Sequence, residues 1–197
     1  MPDLILASGS ATRAKILRDA GISFSVEKPR VDEEAVKQKL REQGRTPREQ
    51  AEALAEAKAL SVSQSVGGLV LGADQMLAFE GRAFDKPASR AEAKAQLQQL
   101  RGGQHELITA IVIAKDGGTL WRHVDRPRLT MRNFSDAFLG SYLDQAGAAA
   151  LGSVGGYQLE GPGAQLFETI EGDYFSILGL PLMPLLAFLR DQKVLAA

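Results

Sequence analysis

Residues 4–17 read LILASGSATRAKIL, and the change of character within this stretch decides the fold. Leu4–Ala7 is a short apolar run without alternation, the pattern of a strand buried on both faces. It breaks into Ser8, Gly9 and Ser10, and from Ala11 the pattern turns helical, with Arg13 and Leu17 four residues apart on one face. A buried strand, a hydroxyl-rich turn and a helix start make the first half of a β-α-β unit, so the chain reads as α/β. The same turn is suited to an anion, because unpaired N–H groups and the helix dipole point at whatever sits there. Ser10 as a plain N-cap and Arg13 as a solvated helix residue form the competing reading. Neither GxxxxGK[ST] nor GxGxxG occurs, which argues against a P-loop and a dinucleotide site.

Working outward, ATRAKILRDA (11–20) is a helix stopped by Gly21, and SFSVEK (23–28) is an alternating strand. Thr46, Pro47 and Glu49 make a capping box for a helix running to about Gln64. GLVLGAD (68–74) reads as a central strand that delivers Asp74 to its C-terminal end, and a hairpin follows around Glu80-Gly81. Ser89 with Glu92 caps a helix ending at Gly102-Gly103. HELITAIVIAK (105–115), the turn Asp116-Gly117-Gly118 and TLWRHV (119–124) form a long hairpin, Ser135 starts a helix, GYQLEG (156–161) and LFETIEG (166–172) supply strands, and Pro181 opens the last helix. The expectation is a mixed sheet flanked by helices, built by residues 1–197 as one domain.

Composition bounds the function. The 197 residues are 45% hydrophobic and 24% charged, enough for a full core, and the net charge of −1 supplies no general field for polymeric nucleic acid or an anionic membrane. Cysteine is absent, which removes thiolate chemistry and fits a reducing compartment. No run approaches the ~20 apolar residues of a membrane helix, and Met1-Pro2-Asp3 lacks a basic leader region, so the chain reads as cytoplasmic.

Beyond the N-terminal turn, three groups of residues can carry chemistry. Asp74, at a strand end, can hold a divalent cation or orient a water, or simply cap a turn. Lys86 stands beside Pro87 in FDKP, and Lys58 lies on the long helix; lysines in such places are commonly solvated. VDEE (31–34), which includes Glu33, is an acidic cluster at a loop or helix start. His105 and His123 lie inside β segments and Trp121 reads as packing, so a histidine metal site is not expected.

Taken together, LILASGSATRAKIL, VDEE, AEAKA, VLGADQ, DKP, LRGGQHELITA, YQLEGPG and ILGLPL resemble the Maf family of nucleoside triphosphate pyrophosphatases, relatives in fold of the inosine triphosphate pyrophosphatases. The resemblance spans nearly the whole chain. It implies an elongated mixed sheet with helices around it, two lobes and a nucleotide cleft between them. It also implies hydrolysis between the α- and β-phosphates to a monophosphate and pyrophosphate, with Mg or Mn as cofactor. Carried onto this sequence, it gives Asp74 the water or metal, Glu33 a second metal position, Arg13, Lys58 and Lys86 the phosphates, and Ser8 and Ser10 the triphosphate tail. A homodimer is left open.

Within the family, one branch resembles dTTP/UTP pyrophosphatases, with G-A-D-T, two adjacent arginines after S-x-S-P, and Y-x-I-Q-G. The other resembles 7-methyl-GTP pyrophosphatases. Here Thr12 replaces the first arginine, Gln75 follows Asp74, V-D-E is present and Glu160 stands at the Gln position, which favours the purine branch; GDYFSILGLPL (172–182) looks more like the pyrimidine branch. A Glu160 carboxylate can accept from the N1–H and amine of a guanine edge. A non-catalytic nucleotide-binding regulator of septum formation is the alternative of another class.

Overall fold

The computed structural model describes residues 4–196; Met1-Pro2-Asp3, read above for the lack of a leader, lies outside them. In chain order the elements are β1 (Leu4–Ala7), α1 (Ala11–Asp19), β2 (Ser25–Val26), α2 (Glu33–Glu42), α3 (Pro47–Ser63), β3 (Leu69–Phe79) and β4 (Arg82–Phe84). Then follow α4 (Arg90–Leu100), β5 (Gln104–Lys115), β6 (Gly118–Asp125), β7 (Arg128–Met131), α5 (Asp136–Ala146), β8 (Phe167–Glu171), α6 (Tyr174–Ile177) and α7 (Leu182–Asp191). The strand order is β2-β1-β3-β5-β7-β8, with β4 on β3 and β6 on β5. β1 pairs in parallel with β2 and β3, and β5 pairs antiparallel with β6 and β7, so the sheet is mixed as expected. Among the described residues no helix is long and apolar enough to cross a membrane.

The chain divides into two compact units. The first takes the chain through Gln75, then Thr109–Asp125 and everything from Asp173 onward. Its core is Leu4, Leu6, Leu17, Leu71, Ile111, Ile113, Leu185 and Leu189, all buried, with Trp121 packed against it. α3 lies on β3 so closely that a side chain at Gly72 would meet the Ala55 carbonyl at 2.1 Å, which explains both that glycine and the alanine-rich helix opposite. α3 starts with the capping box read from the sequence, Thr46 and Glu49 each bonding the other's backbone N–H.

The second unit is Met76–Ile108 with Arg126–Gly172. Leu77, Leu97, Leu100, Leu107, Leu129, Met131 and Leu139 are buried there. Ser89 and Ser135 cap α4 and α5 as expected. The hairpin turns Glu80-Gly81 and Asp116-Gly117 carry positive φ at both residues, as two-residue hairpins require.

Three readings change. Only Ser25–Val26 of SFSVEK is strand, because only these two residues find register with β1. β3 does not stop at Asp74 but runs on to Phe79, since pairing of Leu77–Phe79 with β4 extends it. Asp74 nevertheless stands clear of β1, whose pairing ends at Ala7 with Gly72. GYQLEG is not a strand: only Gly156 at its start has positive φ, and its second half closes into a turn in which Gly161 N–H donates to the Gln158 carbonyl at 3.3 Å. VDEE stands at a helix start, one of the two places read for it, with Asp32 as the N-cap of α2; β7 is a strand that the sequence pattern did not disclose.

Candidate active site

The site builds from the first unit. Successive side chains of a strand point to opposite faces, so Gly72 and Asp74 face the same way. The contact of Gly72 with α3 therefore brings Asp74 to that helix, and Lys58 Nζ lies 2.8 Å from Asp74 Oδ1. The same ammonium lies 2.8 Å from Glu33 Oε2, in the first turn of α2. Lys58 is 5% exposed and Asp74 7%, so this is a buried pair joined at its edge by a second carboxylate. The solvated lysine expected on a surface helix is replaced by a committed one. Burial pushes the Asp74 carboxyl above its usual range; the charges of Lys58 and Arg13 oppose that and Glu33 adds to it.

Arg13 is held on three sides. Its Nε donates to the Gly179 carbonyl at 2.8 Å, and its Nη1 donates to the Ala73 carbonyl at 3.0 Å and to Ser8 Oγ at 3.2 Å. Burial lowers the pKa of the guanidinium, with Asp74 and Glu33 acting against that shift. The two N–H groups of Nη2 have no partner among the described residues, so the guanidinium is fixed in orientation with one edge free. Ser10 is the N-cap of α1, its hydroxyl accepting from Arg13 N–H, and Ser8 Oγ accepts from Ser10 N–H. The N–H groups of Ala11 and Thr12, at the first helical positions, are left open at the mouth of the helix.

Gln75 faces away from Asp74. Its Nε2 is spent on the protein: Thr109 Oγ1 at 2.8 Å, the Ser176 carbonyl at 3.0 Å and the Ile177 carbonyl at 3.1 Å. The remaining two candidates belong to the second unit. Lys86 is exposed on the loop after β4, beside a buried Pro87, and Glu160 is exposed in the turn that GYQLEG forms. The structure thus brings together Ser8, Ser10, Arg13, Glu33, Lys58 and Asp74 in the first unit, while Lys86 and Glu160 are exposed in the second.

The carboxylates suit a divalent cation. Asp74 and Glu33 flank one point, now filled by the Lys58 ammonium, and one or two carboxylates with phosphate oxygens is the usual way Mg²⁺ is held. No group of three or more acidic or histidine side chains gathers among the described residues, so a cation here would need oxygens from a ligand to complete its shell.

This constellation spans the N-terminal turn, the GAD strand and the GLPL segment, and residues 3–192 match the family model described as Maf-like protein. The chain belongs to the Maf family. It is 54% identical over 189 residues to a nucleoside triphosphate pyrophosphatase of Paramagnetospirillum magneticum, covering 95% of this chain and 97% of that one. It is 54% identical over 190 residues to a nucleoside triphosphate pyrophosphatase of Hyphomonas neptunium, covering 96% of each. It is 50% identical over 191 residues to a 7-methyl-GTP pyrophosphatase of Brucella abortus, again covering 96% of each.

In this Maf chain, sequence reasoning missed the backbone partners of Arg13. Gly179 was legible only as part of ILGLPL. Its φ of +97° and the approach of Arg13 Nε to 3.5 Å of a Cβ there show why glycine is needed. Ala73 acts through its carbonyl alone, which no side-chain pattern can disclose.

Proposed function

We propose that this chain hydrolyses nucleoside triphosphates between the α- and β-phosphates, releasing pyrophosphate, and that 7-methyl-GTP is its preferred substrate. The observation that carries the reading is the buried Lys58 ammonium between Asp74 and Glu33, in the same unit as an arginine fixed at three N–H positions and free at its Nη2 edge. Phosphate oxygens meet the Nη2 edge of Arg13 and the open N–H groups of α1, a geometry that fixes a polyanion. Asp74 orients the attacking water and takes its proton, a task for which a carboxyl raised above its ordinary range is the better base. Lys58, and Lys86 from the second unit, supply point charges to the phosphate oxygens and the leaving pyrophosphate. Asp74 and Glu33 would hold Mg or Mn, which when bound neutralises phosphate charge and makes bound water more acidic.

Support for the purine comes from Thr12, Gln75, V-D-E and Glu160, and from relatives such as that of Brucella abortus, named for 7-methyl-GTP. Glu160 reads the base, its exposed carboxylate being open to a ligand. The test is product analysis of single turnovers on 7-methyl-GTP, dTTP and UTP, with and without Mg²⁺. Monophosphate and pyrophosphate, formed fastest from 7-methyl-GTP, are expected. Diphosphate as product overturns the mechanism, faster dTTP or UTP turnover gives the pyrimidine reading, and binding without turnover gives the regulator.

A further inference from the structure

Glu160 is exposed, and it stands in a stretch whose composition favours mobility. Residues 155–163 read GGYQLEGPG, four glycines in nine residues, and glycine loses more freedom on ordering than any other residue. The internal bonds of the stretch are few. Gly161 N–H donates to the Gln158 carbonyl at 3.3 Å, and a side chain at Gly163 would lie 2.4 Å from that same carbonyl, so the chain closes on itself around Glu160.

What holds the stretch comes from elsewhere in the second unit. Tyr142, on α5, donates its hydroxyl to the Gly156 carbonyl at 2.9 Å. At the next residue the Tyr157 hydroxyl lies 2.7 Å from Nε2 of His105, on β5, a bond that either tautomer of the imidazole can make. Tyr157 also meets the Phe167 ring of β8 edge-on, with centroids 4.8 Å apart, and His105 lies against the same ring. His105, Tyr142 and Tyr157 are all buried, and His105 Nδ1 has no partner. Burying this imidazole therefore costs desolvation that the Tyr157 bond alone offsets. Two apolar rings would fill the same space without that cost, so the polar pair is explained by where it places Tyr157.

We infer that His105, Tyr142 and Tyr157 are positioning residues for Glu160, fixing the 156–161 turn from which its carboxylate meets the base. The inference rests on the proposal that Glu160 reads the base. The two hydroxyls hold consecutive residues, Gly156 by its carbonyl and Tyr157 by its side chain, which sets both the place and the direction in which the chain enters the turn. Glu160 follows three residues later, inside the loop that the Gly161 N–H closes. The carboxylate is thus kept in place through its backbone, and its charge stays available to the donors of a ligand that finds it already oriented. Loss of either hydroxyl lets the turn move, so the carboxylate meets a base edge less often, while the phosphate-binding groups of the first unit are untouched.

The experiment compares Tyr142→Phe, Tyr157→Phe, His105→Phe and His105→Gln, the last because its terminal amide can stand where Nε2 stands. Hydrogen exchange of the Gly161 amide is read by NMR, KM and kcat are measured for 7-methyl-GTP, dTTP and UTP, and calorimetric binding of inorganic tripolyphosphate serves as a control without a base. Exchange at Gly161 is expected to speed up about fivefold in Tyr142→Phe, Tyr157→Phe and His105→Phe. In the same three variants KM for 7-methyl-GTP is expected to rise about threefold, with kcat, both pyrimidine substrates and tripolyphosphate binding unchanged, and His105→Gln is expected to restore both readouts. In a Glu160→Gln background the Tyr157→Phe change adds almost nothing, since the group it positions is gone. Unchanged exchange at Gly161, an equal rise in KM for every triphosphate, or full additivity with Glu160→Gln overturns the inference. Should His105→Phe fail to fold, the two tyrosine variants, each lacking a single oxygen, decide it. If Glu160 does not read the base, Glu160→Gln alone leaves the substrate ratio unchanged, whereas exchange at Gly161 needs no substrate and still decides whether the three residues hold the turn.

Discussion

In the first unit the charges are buried and committed to one another: Lys58 sits between Asp74 and Glu33, and Arg13 is bound to Gly179, Ala73 and Ser8. In the second unit Lys86 and Glu160 are exposed, and the buried polar pair His105 and Tyr157 is neutral. The difference separates two requirements of a triphosphate hydrolase. Groups that must act on a reacting phosphorus need fixed positions, which burial and mutual pairing provide at a cost in desolvation. Groups that meet a ligand's outer parts need only be available.

The largest effect tests the committed side. Asp74→Asn keeps the shape and a hydrogen-bond partner for Lys58 but removes the negative charge. Pyrophosphate release is expected to fall about a thousandfold or more, while triphosphate binding changes little, because Arg13 and α1 are untouched. Single-turnover kinetics beside calorimetric titration separates the two. A variant that keeps a tenth of wild-type turnover removes Asp74 from the chemistry.

Much of this architecture was legible because it is local. Ser10, Thr46, Ser89 and Ser135 announce their helices within four residues, and Glu80-Gly81 and Asp116-Gly117 announce their hairpins. The site was legible in its residue types and obscure in its contacts. Lys58 reads as solvated on its own helix because both carboxylates that bury it come from other elements, 16 and 25 residues away. The extent of β3 was hidden for the same reason, being set by β4, and GYQLEG was misread because its second half closes on itself through the Gly161 N–H to Gln158 carbonyl bond and pairs with no strand. The carbonyl partners of Gln75 were hidden because they lie a hundred residues on.

Asp74 and His105, one in each unit, also differ in the sign of their contribution with pH. The Asp74 carboxyl is raised in the fold, so its contribution to stability is full below the ordinary carboxylate range and is lost as pH rises through the folded value. His105 behaves oppositely. Burial pushes its imidazole down from 6.5 to about 4, with Nε2 2.7 Å from the Tyr157 hydroxyl and Nδ1 without a partner. Its contribution is full above pH 6.5 and drains away as pH falls towards 4, amounting at the end to about 3 kcal/mol. Urea unfolding at pH 7.0, 5.5 and 4.5 checks this. His105→Phe is expected to be less stable than wild type at neutral pH, since it strands the Tyr157 hydroxyl, yet to lose less on acidification. Parallel pH slopes for the two proteins would show that His105 already ionises freely in the fold.

The smallest effect belongs to the exposed side. Glu160 is exposed and has no anchoring partner among the described residues, and a solvated carboxylate gains less from a ligand hydrogen bond than a buried one does. Glu160→Gln replaces one acceptor oxygen by a donor facing the N1–H and amine of a guanine edge. kcat/KM for 7-methyl-GTP is therefore expected to fall about three- to tenfold, less than a buried carboxylate would give, while dTTP and UTP hold steady or improve because an amide suits the pyrimidine imide. Measuring all three triphosphates on both proteins gives a ratio that is independent of enzyme concentration. A uniform loss would place Glu160 with Lys86, as a charge acting on the common phosphates, and a fall of a hundredfold or more confined to 7-methyl-GTP would mean that substrate binding buries Glu160 and erases the contrast between the two units.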